Sequence, residues 1–278
     1  MPIGKLFLVA TPIGNLSDIS ERALKTLRDV AFIACEDTRR TRILLQHHGI
    51  FVELVSLPAF DEARRAKAIV ERIASGEDCA LVTDAGTPSI SDPGEKLVAE
   101  ALARDIQVVP IPGPSAFVSA LSASGLPTSR FHFLGFLPRR DSERTTMLDE
   151  VEALSATLLI YESPRRVLET LAKCLEVLGD RRACVARELT KVHEEFLRGT
   201  LSELISRLRD REEIKGEVVI VIEGRGEDER WGAEKLRAAL EAGLRSGEKL
   251  KDLAKELSRR SGWSSQQIYR LGLSVKRA

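Results

Sequence analysis

The sequence predicts an α/β protein: two successive α/β units followed by a small, wholly helical module. Three observations predict it. From Lys5 to Gly224, short apolar runs alternate with amphipathic helical runs. Polar loops rich in Gly and Pro follow the apolar runs, as they do in open α/β sheets. After the polar stretch Gly224–Gly232 only helical patterns remain.

In the first unit the strands are expected at Lys5–Ala10, Ala31–Cys35, Val52–Leu57, Cys79–Thr83 and Ile106–Ile111. Helical patterns lie between them at Ser20–Arg28, Thr38–His48, Asp61–Ala74 and Glu95–Arg104. In the third of these, Ala66, Ile69, Val70 and Ile73 keep the 3.6-residue period. Such alternation argues for a largely parallel sheet covered by helices. The second unit repeats the plan with strands at Phe131–Phe136, Ala156–Tyr161, Ala183–Glu188, Glu194–Thr200 and Glu217–Gly224. Its helices are expected at Ser142–Leu154, Pro164–Leu178 and Ser202–Leu208. The third and fourth strands are close enough in sequence to form a hairpin, which implies a mixed sheet. The passage Pro112–Ser129 separates the two units, and the expected domains are 1–115, 116–226 and 227–278. No internal repeat is visible.

In the last module, Leu250, Leu253, Ala254 and Leu257 share one helical face. Gly262 breaks that helix, Ser264 or Ser265 can cap the next, and Ile268, Tyr269 and Leu271 are expected to point inward. Helix, short Gly-containing turn and helix is the plan of a helix-turn-helix unit.

The 278 residues, 43% of them hydrophobic, suffice for a large core and more than one domain. No run of about 18 apolar residues occurs, so no membrane span is expected. The N-terminus reads directly as a strand and lacks the features of a signal peptide. Cys35, Cys79, Cys174 and Cys184 are scattered, which suits free thiols in a reducing cytoplasm. No C-x-x-C pair or His-rich cluster is present, so no metal is expected. The net charge is zero, but residues 231–278 hold 11 Lys/Arg against 5 Asp/Glu, and the rest of the chain carries the compensating excess of acid. A basic tail on an acidic body suits a polyanionic partner, while a solvated helical face explains the same charges without one.

The chemistry is expected in six loops that follow strands: Thr11–Leu16, Cys35–Arg42, Thr83–Gly94, Pro112–Ala116, Tyr161–Arg166 and Arg187–Lys191. Each could be a simple turn. The third, TDAGTPSISDPG, has no phosphate-binding pattern of glycines, and Asp84 and Asp92 oppose a pyrophosphate. They suit ammonium, sulfonium or ribose hydroxyl groups, all of which S-adenosylmethionine carries. Gly86 and Gly94 would allow close approach of backbone, and Pro88 and Pro93 limit loop entropy.

The ordered set LVATPIGNLSDIS, IACEDTRRT, DAGTPSISDPG, PGPSA, SGLP, GFLP, YESPRR, ARELTK and KGE resembles the ribosomal RNA small subunit methyltransferase I family, within the tetrapyrrole-methylase-like superfamily. It runs through almost the whole chain. The resemblance implies two α/β domains of the tetrapyrrole-methylase type with an S-adenosylmethionine cleft between them, a small C-terminal helical domain and a homodimer. It also implies 2′-O-methylation of a cytidine ribose in the decoding region of 16S ribosomal RNA, with the small ribosomal subunit as partner. Carried over by motif, the cofactor residues are Pro12, Asp84, Ala85, Gly86, Ser89, Ser115, Tyr161, Leu189 and Gly216. The family usually has Asn-Glu after the third strand, where this chain has FDEARR (Phe60–Arg65), which leaves a substrate contact by that loop open.

A ribose hydroxyl is a poor nucleophile while protonated, so a positioned base or a cation that stabilises the forming alkoxide would help. Lys191, Glu36 and Glu188 are the candidates for that role; Asp37 could equally do no more than cap a helix. Arg39 and Arg165 are the expected substrate contacts, and Arg40, Arg42, Arg139, Arg140 and Arg166 are further arginines that could meet phosphates. His47 and His48 end a helix, and His132 and His193 read as strand or edge positions. With aromatics at 5%, RNA would be held through shape and phosphates more than through stacking. Two rival readings remain: a tetrapyrrole methyltransferase, which leaves the basic tail unexplained, and a non-catalytic ribosome-binding factor, which leaves the cofactor loops unexplained.

Overall fold

The computed structural model describes residues 2–226, 231–263 and 265–277. They form two compact units. One contains the chain up to Ser119 together with Glu188–Glu194; the other contains Ala120–Arg187 and the chain from Glu195 onward.

The first unit is built on five strands: β1 (Lys5–Val9), β2 (Phe32–Cys35), β3 (Glu53–Ser56), β4 (Cys79–Val82) and β5 (Gln107–Ile111). Their order is β3-β2-β4-β1-β5, and every pair is parallel. β2 and β4 are buried at every position, which is why they read as unbroken apolar runs. Helices α1 (Glu21–Asp29), α2 (Thr38–His47), α3 (Glu62–Ala74) and α4 (Glu95–Leu102) connect the strands. One apolar cluster packs Leu6, Phe32 and Leu81 with Ile69 and Ile73; the other packs Val9, Ile33 and Val82 with Leu27 and Leu45. Each such side chain contributes about 1.5–3 kcal/mol on full burial. Ser20 caps α1 by accepting from the Ala23 amide, and Asp37 caps α2 by accepting from the Arg39 amide.

A helix not expected from the sequence follows β5: α5 (Ala116–Ser124), within the passage that reads as a boundary. Its sequence, AFVSALSAS, has no charged residue to mark a solvent face. The second unit holds β6 (Phe131–Phe136), α6 (Asp141–Val151), β7 (Thr157–Glu162), α7 (Val167–Leu178), β8 (Arg182–Arg187), β9 (Glu195–Thr200), α8 (Leu201–Arg209) and β10 (Val218–Ile222). Its sheet is mixed, in the order β6-β7-β10-β8-β9, with only β6 and β7 parallel. β10 is buried throughout. A capping box of Thr200 and Glu203 starts α8.

The C-terminal helices are α9 (Ala233–Arg245), α10 (Leu250–Ser261) and α11 (Ser265–Arg277). They share a core of Leu236, Leu240, Leu250, Leu253, Ala254, Leu257 and Ile268. Gly262 ends α10 with φ +69°, the left-handed conformation glycine adopts without cost. Tyr269 is not inward as expected: it is 41% exposed, one position past the buried Ile268 on a helix whose inner stripe is narrow. Ser264 and the side chains of Arg259 and Arg260 lie outside the described residues.

All four cysteines are free and buried, and burial pushes the Cys79 and Cys174 thiols up to about 12, so these two are inert packing groups. Among the described residues no helix is long and apolar enough to cross a membrane.

Candidate active site

Because the first sheet is parallel, the loops leaving β1, β2, β4 and β5 emerge at one edge. The β1 loop joins the others. The Thr11 amide donates to the Gly86 carbonyl at 2.8 Å, the Gly86 amide donates back to the Thr11 carbonyl at 3.0 Å, and the Thr11 hydroxyl donates to the Thr83 carbonyl at 3.0 Å. The Thr87 hydroxyl donates to the Pro114 carbonyl in the β5 loop at 3.2 Å. Pro12, Asp84, Ala85, Gly86, Ser89 and Ser115 all lie on these loops, as does Glu36 at the end of β2.

The β4 loop is strained. Gly86 has φ +87°, and Ser89 and Ser91 hold left-handed φ values of 69° and 63° without being glycine. Such conformations persist only where the surroundings enforce them, and they concentrate at functional sites. A methyl group at Gly86 would make ordinary contacts with Ile13 at 3.5 Å and the Pro114 carbonyl at 3.9 Å, so it is the positive φ, not crowding, that calls for glycine here. Gly94 differs from its expected role. A side chain there would come within 2.4 Å of Ser89 Oγ and 2.7 Å of Leu81, so its glycine serves close packing at the start of α4. The buried Glu62 takes over as cap: its carboxylate accepts from the amides of Gly94 (2.9 Å) and Lys96 (2.8 Å). The FDEARR loop thus has a structural role through Glu62 that its sequence does not reveal.

Three carboxyl groups gather here, and all are pushed above the ordinary range. For Glu36, burial dominates, followed by the charges of Asp84, Asp92 and Asp37. For Asp84, burial raises it and Arg40, 3.4 Å away, opposes the rise. For Asp92, burial outweighs the hydrogen bond it accepts from the Thr83 hydroxyl at 2.6 Å. Asp84 Oδ1 and Ser89 Oγ are buried without a hydrogen-bond partner in the chain. An unbonded buried polar atom costs about 1–3 kcal/mol, so the loop holds polar capacity that its own fold does not use. Asp37 behaves oppositely: hydrogen bonds from Arg39 hold its carboxyl well below the usual range. Arg39 is itself gripped, donating to Asp37 from Nε at 3.0 Å and from a terminal nitrogen at 2.7 Å, while remaining 86% exposed.

The segment Glu188–Glu194 belongs to the same unit. The Asn15 amide donates to the Thr190 hydroxyl at 3.0 Å, and Leu189 is buried. Lys191 Nζ pairs with Glu188 Oε1 at 2.8 Å, with the side chains 31% and 20% exposed. The structure therefore brings Glu36, Glu188, Lys191, Arg39 and seven of the nine expected cofactor residues into one unit.

Tyr161, Arg165 and Gly216 lie in the other unit. Tyr161 packs edge-on against Phe133, with ring centroids 4.9 Å apart. Arg165 and Gly216 line an open groove of about 500 Å³ with Pro164, Leu168, Arg211 and Lys215. Gly216 has φ +86°, which explains the glycine. Sequence reasoning did not single out Gly14, Thr190 or Thr83, and it offered Arg40 as a phosphate contact, not as the partner of Asp84. Gly14 and Thr190 stand within the recognisable motifs and Thr83 opens the β4 loop, but only long-range contacts reveal their partners. Among the described residues no group of three or more His, Cys, Asp or Glu side chains is placed to hold a metal ion.

The chain matches a family. Residues 5–205 fit the model of the Tetrapyrrole (Corrin/Porphyrin) Methylases, and the chain belongs to that family. Within it the chain falls among proteins named ribosomal RNA small subunit methyltransferase I. It is 45% identical to the one from Halalkalibacterium halodurans over 260 residues, 90% of each chain. It is 47% identical to the one from Pseudomonas aeruginosa over 243 residues, covering 85% of this chain and 86% of that one. To the Thermotoga maritima protein it is 46% identical over 223 residues, 80% of this chain and 100% of the relative. Solved structures share the fold at low identity. A diphthine synthase aligns with a TM-score of 0.61 at 17% identity, over 79% of this chain and 90% of that one. A cobalt precorrin-4 methyltransferase aligns with a TM-score of 0.59 at 16% identity, over 79% and 94%.

Proposed function

We propose that this chain is an S-adenosylmethionine-dependent methyltransferase that modifies the 2′-hydroxyl of a decoding-region cytidine in 16S ribosomal RNA. The observation that carries the reading is the loop Thr83–Gly94: strained, acidic and incompletely bonded, in a chain that belongs to a methylase family. The names of relatives that match most of this chain support RNA of the small subunit as substrate.

The residues fit the cofactor chemically. Asp84 Oδ1 is an acceptor without a donor, and Ser89 Oγ can donate or accept, as ribose hydroxyls and an ammonium require. Asp84, Ser89, Gly86 and Leu189, with Pro12, Ala85 and Ser115, would hold it, and Tyr161 and Gly216 are the candidates in the second unit. When bound, S-adenosylmethionine supplies a methyl group on a positively charged sulfur. The raised carboxyl groups of Glu36, Asp84 and Asp92 ionise more readily beside such a cation, so site and ligand relieve each other.

Glu188 and Lys191 suit the nucleophile. A ribose hydroxyl brought to this pair can pass its proton to the Glu188 carboxylate, while the Lys191 ammonium stabilises the oxygen left negative. Glu36, its carboxyl held high by burial, is the second candidate base. Arg39 and Arg165 would meet phosphates, as would the exposed Lys249, Lys251, Lys255 and Arg270 of the helical tail. We place the enzyme in the cytoplasm as a homodimer.

The test is to supply labelled S-adenosylmethionine with 30S particles and, separately, with a tetrapyrrole. Label should enter the particles and, after nuclease digestion, appear in ribose-methylated cytidine. Label in the tetrapyrrole alone, or in neither, would overturn the reading.

A further inference from the structure

Gly14 shows no positive φ, so its backbone does not call for glycine. Its neighbours do. A methyl group at position 14 would lie 2.5 Å from Lys191 Cγ, 2.8 Å from Thr190 Oγ1 and 2.9 Å from the Leu189 carbonyl oxygen. Real contacts of this kind essentially never fall below about 3.0 Å. Lys191 could swing its stem aside, but the Leu189 carbonyl is backbone and the Thr190 hydroxyl is bonded to Asn15. The segment that carries Lys191 is also over-determined. Glu188 and Thr190 both hold left-handed conformations, at φ 51° and 65°. The Thr190 amide donates to the Glu194 carboxylate at 2.6 Å, the Lys191 amide to the Glu188 carbonyl at 3.0 Å, and the Glu194 amide to the Lys191 carbonyl at 3.1 Å.

We infer that Gly14 and Thr190 are positioning residues for Lys191: the bare backbone at Gly14 lets the lysine stem lie across the β1 loop, and the Thr190 hydroxyl latches that crossing to Asn15. The inference rests on the proposed role of Lys191 in methyl transfer. Two strained residues flank Leu189, and strain of this kind is retained where side-chain placement matters. The β1 loop also bonds Gly86, so one loop fixes both the β4 loop and the Lys191–Glu188 pair.

Three variants test it: Gly14→Ala, Thr190→Val, which removes the hydroxyl, and Thr190→Ser, which keeps it. Two readouts are needed. The first is the single-turnover rate of methyl transfer to 30S particles, alongside S-adenosylmethionine affinity by calorimetry. The second is the rate at which an amine-directed reagent labels Lys191, read by peptide mass spectrometry without cofactor or RNA. Misplacing a reacting group by an ångström can cost about a hundredfold, so Gly14→Ala should slow transfer on that order with cofactor affinity retained. Thr190→Val should slow it by roughly fivefold, the worth of about one hydrogen bond, and Thr190→Ser should restore it. Lys191 should be labelled faster in Gly14→Ala, because its pairing with Glu188 is disturbed. In a Lys191→Ala background Gly14→Ala should add nothing to the loss. A wild-type labelling rate in Gly14→Ala, or an undiminished loss in the Lys191→Ala background, would overturn the inference. If Lys191→Ala itself transfers normally, the catalytic reading of Lys191 fails, while the labelling rate still decides whether Gly14 sets its position.

Discussion

Two strand ends treat a carboxylate in opposite ways. After β7, Glu162 is 3% exposed and its bonds are closed: Oε1 accepts from the Ser163 amide at 2.7 Å and Oε2 from the Thr170 hydroxyl at 2.6 Å, with Arg166 3.5 Å away. Arg166 in turn donates to the carbonyls of Leu137 and Pro138, both at 3.1 Å. After β4, Asp84 keeps one oxygen buried and unbonded, beside Ser89 with the same deficit. Both loops are polar, both follow strands, and both contain Ser-Pro or Thr-Pro. An acid with a full set of partners belongs to the fold, while a buried carboxylate oxygen without one is polar capacity that the fold leaves unused.

The largest effect is expected at the lysine that the β1 loop holds. Lys191→Ala should lower single-turnover transfer by roughly 10²–10⁴, about 3–5 kcal/mol, with little change in cofactor affinity. A normal rate would make the residue structural. Next comes Glu162→Ala, which strands the Thr170 hydroxyl, the Ser163 amide and the Arg166 guanidinium. It should cost about 3 kcal/mol of stability by urea unfolding. A midpoint unchanged from wild type would show that this network is not holding the loop.

Asp84→Ala is the mirror experiment. It should leave the urea midpoint at or above wild type, because it removes a carboxylate oxygen buried without a partner, yet weaken S-adenosylmethionine binding by about 1.5–3 kcal/mol in calorimetry. The pH dependence carries the same contrast. The Asp84 carboxyl is raised, so just above the ordinary carboxylate range the folded free protein holds a proton that the unfolded chain has released. Stability of the free protein therefore gains from this group as pH falls through that window. Binding of a cation runs the other way and weakens over the same window, since protonation removes the charge. Asp84→Asn should flatten both trends, and an affinity profile identical to wild type would remove Asp84 from the site.

The smallest expected effect concerns the basic tail, whose helices have a core of their own. Truncation after Gly226 should leave cofactor affinity intact, weaken RNA or 30S binding, and reduce its salt slope by about 0.7–0.9 for each phosphate no longer neutralised. An unchanged salt slope would mean that the exposed Lys249, Lys251, Lys255 and Arg270 meet no phosphate.

Much of this architecture is legible in the sequence because it is local. Apolar runs such as those at β2 and β4 are buried at every position, and the caps Ser20 and Asp37 stand where the helical periods begin. Helix α5 escapes such reading because it has no charged face to betray it. Tyr269 escapes it because a one-residue step on a helix turns a side chain by about 100°. The motif loops can be found in the sequence, since strand, polar loop and helix leave a short-range imprint.

The order of strands, the two kinds of sheet and the positions of the motif loops are therefore properties of the sequence itself. Which polar groups in those loops are satisfied was settled by tertiary structure alone. It joined Glu188–Glu194 to the first unit, set Thr190 against Asn15 across 175 positions, turned Gly94 and Glu62 into a helix cap, and left Asp84 and Ser89 wanting partners. The physical reason is range. Hydrophobic period and turn chemistry act over a few residues, whereas a hydrogen bond or a steric gap depends on which distant segment the fold brings within about 3 Å.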